Sequence, residues 1–322
     1  MMKKTIISSD ALGESYYCYR HSSGLEVALY PMPQFSSVYA LFGTRYGSID
    51  NMLCEPDGTK TEVPEGIAHY LEHKMFEKED GDVSAHFSAI GANSNAFTSF
   101  ECSSYLFSTT EQAEEALRTL IQFVQTPYFT EESVQKERGI IDQEIRMYED
   151  DPNWRVFFHM LENLYHVHPI KLDVAGSSSS IADITPELLY RCYGAYYNPA
   201  NMVLAVAGNF DSDRMAAIVE ETARNDLPSM IPRKEPIREP DTIVRPYSEE
   251  KLAVSAKLFH IGFKERPVPA EAELETQLYY TLLNELIAGR SSALYQRLYE
   301  EKAINTSFGK DIMLGRDFAV NI

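Results

Sequence analysis

A proline-rich and highly charged segment, residues 227–246, divides the chain into a long N-terminal part and a short C-terminal part. Its sequence, LPSMIPRKEPIREPDTIVRP, holds five prolines. Because proline fixes φ and donates no backbone hydrogen bond, such a run is typical of an extended linker between domains. The sequence therefore predicts a domain at 1–226, a linker at 227–246 and a second domain at 247–322.

The N-terminal part mixes two kinds of pattern. Some runs are rich in β-branched and aromatic residues and end at glycine or proline, as strands do, whereas others repeat apolar residues with helical spacing. The strand-like runs are 26–30, 37–46, 95–109 and 202–207, and the helical runs are 64–77, 82–90, 111–125, 130–148, 154–165 and 186–197. This order of elements predicts an α+β fold.

The C-terminal part repeats the opening of the N-terminal part in outline. Residues 253–263 are strand-like, as 37–46 are, and residues 273–289 have a helical pattern, as 64–77 do. Only 76 residues (322 − 246) follow the linker. A sheet-and-helix domain needs more chain than this to bury a core, so we expect the second copy to be truncated and the chain to be part of a longer protein.

Charge and cysteine content exclude several classes of function. The chain has 29 Lys and Arg against 48 Asp and Glu, a net charge of −19, which repels nucleic acid and anionic lipid. Four cysteines are scattered without a CxxC pair, which indicates reduced thiols. Neither a secretory leader nor a spanning segment is evident, so we expect a soluble, cytoplasmic protein. No GxSxG, phosphate-loop or dinucleotide motif occurs.

One motif carries recognisable chemistry. His69 and His73 enclose Glu72 in the pattern HxxEH on a predicted helix, and the i, i+4 spacing puts both imidazoles on one face. Two such imidazoles can bind one zinc ion, and a carboxylate beside them can take a proton from a water that the zinc has acidified. The alternative is a helix whose histidines are only half-buried.

A catalytic zinc needs a third protein ligand, and the helix that begins after Thr130 offers two candidates. Glu137 and Glu144 lie seven residues, or about two turns, apart on one face. Glu144 has apolar neighbours, as a buried ligand would, and Glu137 could hold a ligand in place. The alternative for either glutamate is a solvated acidic face.

Four segments together resemble the insulinase or pitrilysin family (M16) of zinc peptidases, the inverzincins, and most of all its short-chain bacterial branch. In chain order they are HYLEHKMF, NSNAFTSFECSSY, ERGIIDQE and YYNPANMVLAVAGNF. The resemblance covers residues 15–322. It implies LuxS/mitochondrial-processing-peptidase-like metallohydrolase domains, two homologous α+β copies that close around a chamber admitting unfolded peptides.

Carried over by position, the resemblance implies that His69, His73 and Glu144 bind Zn2+, that Glu72 is the general base and that Glu137 supports a ligand. Asn95 and Ala96 match the family's NA element, where a peptide substrate adds to a strand edge. In the second copy, Thr281–Glu285 replaces the zinc motif. That copy would therefore be a wall of the chamber without ligands.

The chain departs from the family in one respect. Members that act alone place an Arg and, seven residues later, a Tyr after the second-half helix, where they bind the substrate carbonyl and the oxyanion. Here Tyr299 and Thr306 stand at those places. We therefore expect the zinc-bearing subunit of a heterodimer, an endopeptidase whose zinc-less homologous partner supplies Arg and Tyr.

Three further expectations remain. A non-catalytic, zinc-stabilised assembly or binding subunit is the alternative function, although a purely structural zinc would not need Glu72. The net charge favours basic peptides as substrates. His159, His166 and His168 are interpreted as capping or surface residues rather than a second metal site.

Overall fold

The computed structural model describes residues 2–54, 58–226, 232–234 and 237–322, which form two compact units. The first unit comprises Met1–Arg146 and Asp173–Glu235, and the second comprises Met147–Leu172 and Pro236–Ile322. Within the predicted linker, residues 227–231, 235 and 236 lie outside the described part of the chain. Residues 237–246 form neither helix nor strand.

A seven-stranded sheet is the centre of the first unit, in the order β1-β2-β3-β11-β4-β10-β9. Neighbouring strands are antiparallel except for the parallel pair β3 and β11. Two short hairpins, β5-β6 and β7-β8, lie outside this sheet. The strands are β1 Lys3–Ser9, β2 Glu14–Arg20, β3 Glu26–Pro31, β4 Val38–Thr44, β5 Met52–Cys54, β6 Lys60–Glu62, β7 Glu77–Lys78, β8 Gly81–Asp82, β9 Asn93–Thr98, β10 Ser103–Thr109 and β11 Met202–Gly208.

Helices cover one face of this sheet. Alternate residues of β4 and β11 are buried, and α3 packs on β10 and β4 through an apolar stripe, while α1 packs on β9 and β10. The helices up to residue 222 are α1 Ile67–Phe76, α2 Val83–Ala89, α3 Ala113–Gln125, α4 Glu131–Glu149, α5 Pro152–Leu164, α6 Pro186–Tyr196 and α7 Ser212–Thr222. Of these, α5 and the last three residues of α4 belong to the second unit.

The second unit contains α5 and a three-stranded sheet of order β12-β14-β13. Its remaining elements are β12 Phe263–Glu265, α8 Ala270–Ala288, α9 Ala293–Glu300, β13 Ile312–Leu314 and β14 Ala319–Asn321. The helix predicted at 273–289 is α8. No helix in either unit, over the residues described, is both long and apolar enough to cross a membrane.

The predicted strand at 253–263 is wrong. Residues 253–262 form no strand, and only Phe263–Glu265 pairs, with β14. Leu258, Phe259 and Ile261 are exposed. Apolar residues with strand-like patterning form a strand only where a neighbouring strand pairs with them, and none of the described residues pairs with this run.

Two further differences concern the first unit. Strands β1 and β2 were not predicted, and the single run predicted at 95–109 is two strands, β9 and β10, joined by a turn. The sequence of β1, KKTIISS, does not alternate apolar and polar residues, and six of its seven residues are exposed. Backbone hydrogen bonds to β2, rather than burial of an apolar face, therefore hold β1 in the sheet, and the side-chain pattern does not predict a strand.

Candidate metal centre

Helix α1 carries the HxxEH motif and begins in a constrained place. Gly66 precedes it with φ of 85°, and a Cβ there would lie 2.2 Å from the carbonyl oxygen of Ala175. Only glycine fits this left-handed, close-packed position, so the helix starts at Ile67 rather than at Pro64. His69 and Glu72 are buried, at 8% and 7% exposure. The alternative of merely half-buried histidines therefore does not describe His69.

Helix α4 approaches α1 with its two predicted glutamates. Thr130 caps α4 as predicted, because its Oγ1 accepts a hydrogen bond from the backbone N–H of Ser133 at 3.1 Å. Oε2 of Glu144 lies 3.7 Å from Nε2 of His69 and 3.4 Å from Nε2 of His73. Among the described residues, one ligand atom from each of these three side chains lies within 4.8 Å of the others.

The donor set fits zinc. Ligand atoms at about 2.1 Å from a tetrahedral zinc are about 3.4 Å apart, close to the two distances between Glu144 and the imidazoles. Two nitrogens and one carboxylate oxygen are a ligand set found in zinc hydrolases, and they leave a fourth position open. In His69, Nε2 is the ring atom that faces Glu144, whereas Nδ1 is buried without a hydrogen-bond partner among the described residues.

Glu137 contacts the second imidazole from the other side. Its Oε1 lies 3.0 Å from Nδ1 of His73. Because a carboxylate only accepts, Nδ1 donates to Glu137, which leaves Nε2, the nitrogen that faces Glu144, as the one that can bind a metal once it gives up its proton. Both predicted glutamates of α4 therefore contact His73, so neither belongs to a purely solvated face.

The two imidazoles have opposite electrostatic environments. Burial lowers the pKa of His69 to about 4, with a further contribution from His73, so its ring is neutral at physiological pH. Burial alone would also lower the pKa of His73, but hydrogen bonds to Glu137 and Glu144 outweigh it and raise this pKa to about 10. Without a metal the cluster thus holds a proton on His73 between two carboxylates, and a metal cation bound there would displace that proton.

Glu72 faces a cavity of about 680 Å3 next to these residues. Thr98 Oγ1 donates a hydrogen bond to Glu72 Oε2 at 2.9 Å, and burial raises the pKa of Glu72. A buried carboxylate with a raised pKa is a better base than an exposed one. The lining of the cavity is Glu72, His73, Phe76, Glu77, Lys78, Glu79, Gly81, Asp82, Ser84, Ser94, Asn95, Ala96, Lys136, Glu137 and Ile140.

Asn95 and Ala96 lie on β9, the last strand of the seven-stranded sheet. The backbone N–H of Ala96 donates to Oδ1 of Asn95 at 2.9 Å, so it does not point at β10. Since backbone groups alternate along an antiparallel strand, the N–H groups of Ser94, Ala96 and Thr98 all point to the open edge. This edge borders the cavity that Glu72 lines.

Sequence reasoning missed Thr98 and Tyr70 as parts of this centre. Thr98 lies within the segment NSNAFTSF, but nothing in the pattern relates it to Glu72. Tyr70 belongs to the apolar stripe of α1, and only the structure shows that its hydroxyl donates to the carbonyl of Val134. Glu144 was expected to be buried, and its side chain is about one-fifth exposed, at 22%.

Other predicted residues lie elsewhere. Tyr299 is on α9 and Thr306 follows it in a turn, both in the second unit, while Thr281–Glu285 lies within α8. His168 caps a short 3-10 turn, since its Nδ1 accepts from the N–H of Ile170 at 3.1 Å. It is fully buried, so capping rather than surface placement describes it.

Comparison with known proteins agrees with this fold and this motif. A family model described as Insulinase (Peptidase family M16) matches residues 58–178, and one described as Peptidase M16 inactive domain matches residues 183–320. The chain belongs to the M16 peptidase family. The expected resemblance and the α+β class with two M16-type domains are confirmed.

Particular relatives extend this result. The uncharacterized zinc protease YmfH of Bacillus subtilis is 44% identical over 313 residues, which are 95% of this chain and 72% of that protein. A putative M16-like peptidase from Alicyclobacillus acidocaldarius has a TM-score of 0.86 at 36% identity over 99% of this chain and 73% of its own. A protease from Helicobacter pylori has a TM-score of 0.74 at 20% identity, covering 95% and 73%, and shows the fold alone.

Proposed function

We propose that this chain is a zinc-dependent endopeptidase that hydrolyses unfolded peptides or small proteins. The observation that carries the proposal is the convergence of His69, His73 and Glu144 beside the buried carboxylate of Glu72. Two relatives from Bacillus subtilis, YmfH and YmxG, are each named an uncharacterized zinc protease, which agrees with the proposal. A zinc ion bound by the three side chains would supply Lewis acidity towards carbonyl and water oxygens.

Glu72 is the general base and then the general acid in this proposal. Thr98 occupies its Oε2, which leaves Oε1 available to accept a proton from the water that attacks the peptide carbonyl. The same carboxyl group can then return the proton to the leaving amine nitrogen. Burial of Glu72 keeps bulk water from competing for that proton.

The open edge of β9 orients the substrate. A peptide that adds as a strand replaces Oδ1 of Asn95 as the acceptor of the outward N–H of Ala96, and it receives hydrogen bonds from the alternate neighbours of Ala96. Main-chain bonds of this kind accept any extended sequence. The cavity lining holds five carboxylates against two lysines, which favours basic side chains in the substrate.

Cleavage of a labelled unfolded peptide by the chain and by Glu72→Gln tests this function, with zinc content determined on the same samples. We expect Glu72→Gln to retain zinc and to lose about 100-fold or more in kcat. Glu115→Gln, an exposed position on α3, is the matched control and should be fully active. Unchanged cleavage by Glu72→Gln, or no zinc in the parent chain, would refute the proposal.

We further propose that a homologous zinc-less subunit completes the active site in a heterodimer. Tyr299 and Thr306 occupy the places where the family pattern has Arg and Tyr, so a partner would supply the groups that bind the oxyanion. Cleavage should then rise when such a homologue is added, and fall again when its Arg is changed to Ala. Full activity of the chain alone would contradict this. Zinc binding without cleavage in either case would favour the alternative, a zinc-stabilised assembly subunit.

A further inference from the structure

Tyr70 links the two helices that carry the candidate zinc ligands. It follows His69 directly on α1, its side chain is fully buried, and its hydroxyl donates a hydrogen bond to the backbone carbonyl of Val134 on α4. The bond crosses between segments 64 residues apart in sequence.

Arg138 completes the link from the other helix. Its guanidinium group interacts electrostatically with the hydroxyl of Tyr70, and its Nη2 donates to the carbonyl oxygen of Ile184 at 3.1 Å. The tyrosine hydroxyl therefore donates to Val134 and interacts with the charge of Arg138, and both residues belong to α4. A fully buried phenol whose hydroxyl is bonded to the facing helix has one position, so Tyr70 fixes the spacing between α1 and α4.

The position of this link relates it to the ligands. On α4, Val134 lies about one turn before Glu137, and Glu137 about two turns before Glu144. On α1, Tyr70 lies between His69 and His73. Any rotation or sliding of α1 against α4 that changes the Tyr70–Val134 bond also changes the distances from Glu144 to the two imidazoles.

We propose that Tyr70 and Arg138 are positioning residues that set the register of α1 against α4 and thereby the affinity of the site for zinc. The inference rests on the proposed zinc site. It assigns the two residues a role in geometry rather than in the reaction, because neither lines the cavity.

The test is the zinc dissociation constant of Tyr70→Phe, measured by competition with a chelating indicator well below the melting temperature. This substitution keeps the ring and removes only the hydroxyl. We expect about tenfold weaker zinc binding, the usual effect of losing a group that orients a ligand. Arg138→Met, which keeps the stem of the side chain and removes the guanidinium group, should weaken binding similarly.

Tyr193→Phe is the matched control. Tyr193 is also buried, and its hydroxyl donates to a helix carbonyl, that of Val124, at 3.0 Å, but it joins α6 to α3, neither of which carries a candidate ligand. It should lower the melting temperature by a similar amount and leave zinc affinity within about twofold.

The outcomes separate the two proposals. Parental affinity in Tyr70→Phe, or an equal loss in Tyr193→Phe, would overturn the positioning role while leaving the zinc peptidase intact. A parent chain that binds no zinc would overturn both. Weaker binding confined to Tyr70→Phe and Arg138→Met would establish the role even in a preparation that lacks a catalytic partner.

Discussion

Nδ1 of His73 lies 3.0 Å from Oε1 of Glu137, and this contact decides which nitrogen of the ring is available to a metal. Because Nδ1 donates to the carboxylate, Nε2, which lies 3.4 Å from Oε2 of Glu144, is the nitrogen that can give up its proton to a metal. A carboxylate in this position also makes the imidazole a stronger electron donor. Glu137 thus contacts the candidate site through His73.

Replacing Glu137 should therefore weaken zinc binding without removing a ligand. In Glu137→Gln the amide accepts a weaker hydrogen bond and can also present N–H to the ring, which favours the wrong tautomer. We expect zinc affinity to fall about 10- to 100-fold, measured by chelator competition. Glu132→Gln, exposed in the first turn of the same helix, should bind zinc as the parent does. Equal affinities in the two variants would contradict the assignment.

A second prediction concerns Lys74, a fully buried lysine that directly follows His73. Its Nζ lies 2.5 Å from Oε2 of Glu77, whose side chain is 32% exposed. Glu77→Gln leaves the ammonium group buried and unpaired, which should cost about 3 kcal/mol of unfolding free energy. Lys74→Met removes the buried charge and lets Glu77 rehydrate, so it should cost less than about 1 kcal/mol.

Urea unfolding of both variants measures the difference between their losses of unfolding free energy. Glu79→Gln, an exposed neighbour, is the control and should change stability by less than about 0.5 kcal/mol. If Lys74→Met destabilised the protein as much as Glu77→Gln, the pair would be contributing net stability rather than compensating a buried charge.

Local pattern explains why much of the fold could be predicted. Helix α1 follows from the spacing of its apolar residues, and α4 from the cap at Thr130, whose hydrogen bond to Ser133 is formed. Both signals lie within a few residues of one another in sequence. The strand predicted at 253–263 failed because a strand also needs a partner, which local pattern does not report.

In the candidate site, too, local sequence pattern predicts some contacts, whereas others depend on residues far apart in sequence. The i, i+4 spacing of His69 and His73 already places two imidazoles together, whereas Glu144 reaches them across 71 residues of sequence (144 − 73). Spacing alone could not select Glu144 from the other glutamates of α4, and the family resemblance did so. The partners of Thr98 and Tyr70 come from other elements, so their roles required the structure.

The third prediction is a pH dependence in the second unit. The carboxylate of Glu239 accepts hydrogen bonds from the backbone N–H groups of His166, Val167 and His168, each at 2.8 Å, and from Nζ of Lys264 at 2.6 Å. Burial by itself raises the pKa of Glu239, but the bonds to Lys264 and the three N–H groups outweigh it and lower the pKa from 4.5 to about 2. The folded state therefore binds this proton less tightly than the unfolded state does.

The direction in which stability changes with pH follows from that difference in proton binding. Glu239 stabilises the fold fully above pH 4.5, and the stabilisation is lost as the pH falls from 4.5 towards 2. Glu239→Gln should cost up to about 3 kcal/mol at pH 7 and about 2 kcal/mol at pH 3.5, measured as differences in urea unfolding. Glu162→Gln, in an exposed ion pair of the same unit, should cost less than about 1 kcal/mol. A cost for Glu239→Gln that does not shrink at low pH would refute this linkage.

The last prediction concerns the open edge of β9. The N–H of Ala96 donates to Asn95 rather than to β10, so proline at this position removes no hydrogen bond of the sheet. It does remove the donor that the proposed substrate strand would use, and its ring occupies the edge. Ala96→Pro should therefore fold, keep its zinc and raise KM for an unfolded peptide by about tenfold or more.

Ala96→Ser is the matched variant, because it retains the N–H group and adds a single small oxygen. Its KM should stay within about threefold of the parental value, since the backbone donor and not the side chain is used in strand addition. Both variants are compared in peptide-cleavage kinetics with zinc content measured alongside. A KM unchanged by Ala96→Pro would mean that the peptide binds elsewhere in the cavity, whereas equal increases in both variants would show that the side-chain position itself limits binding.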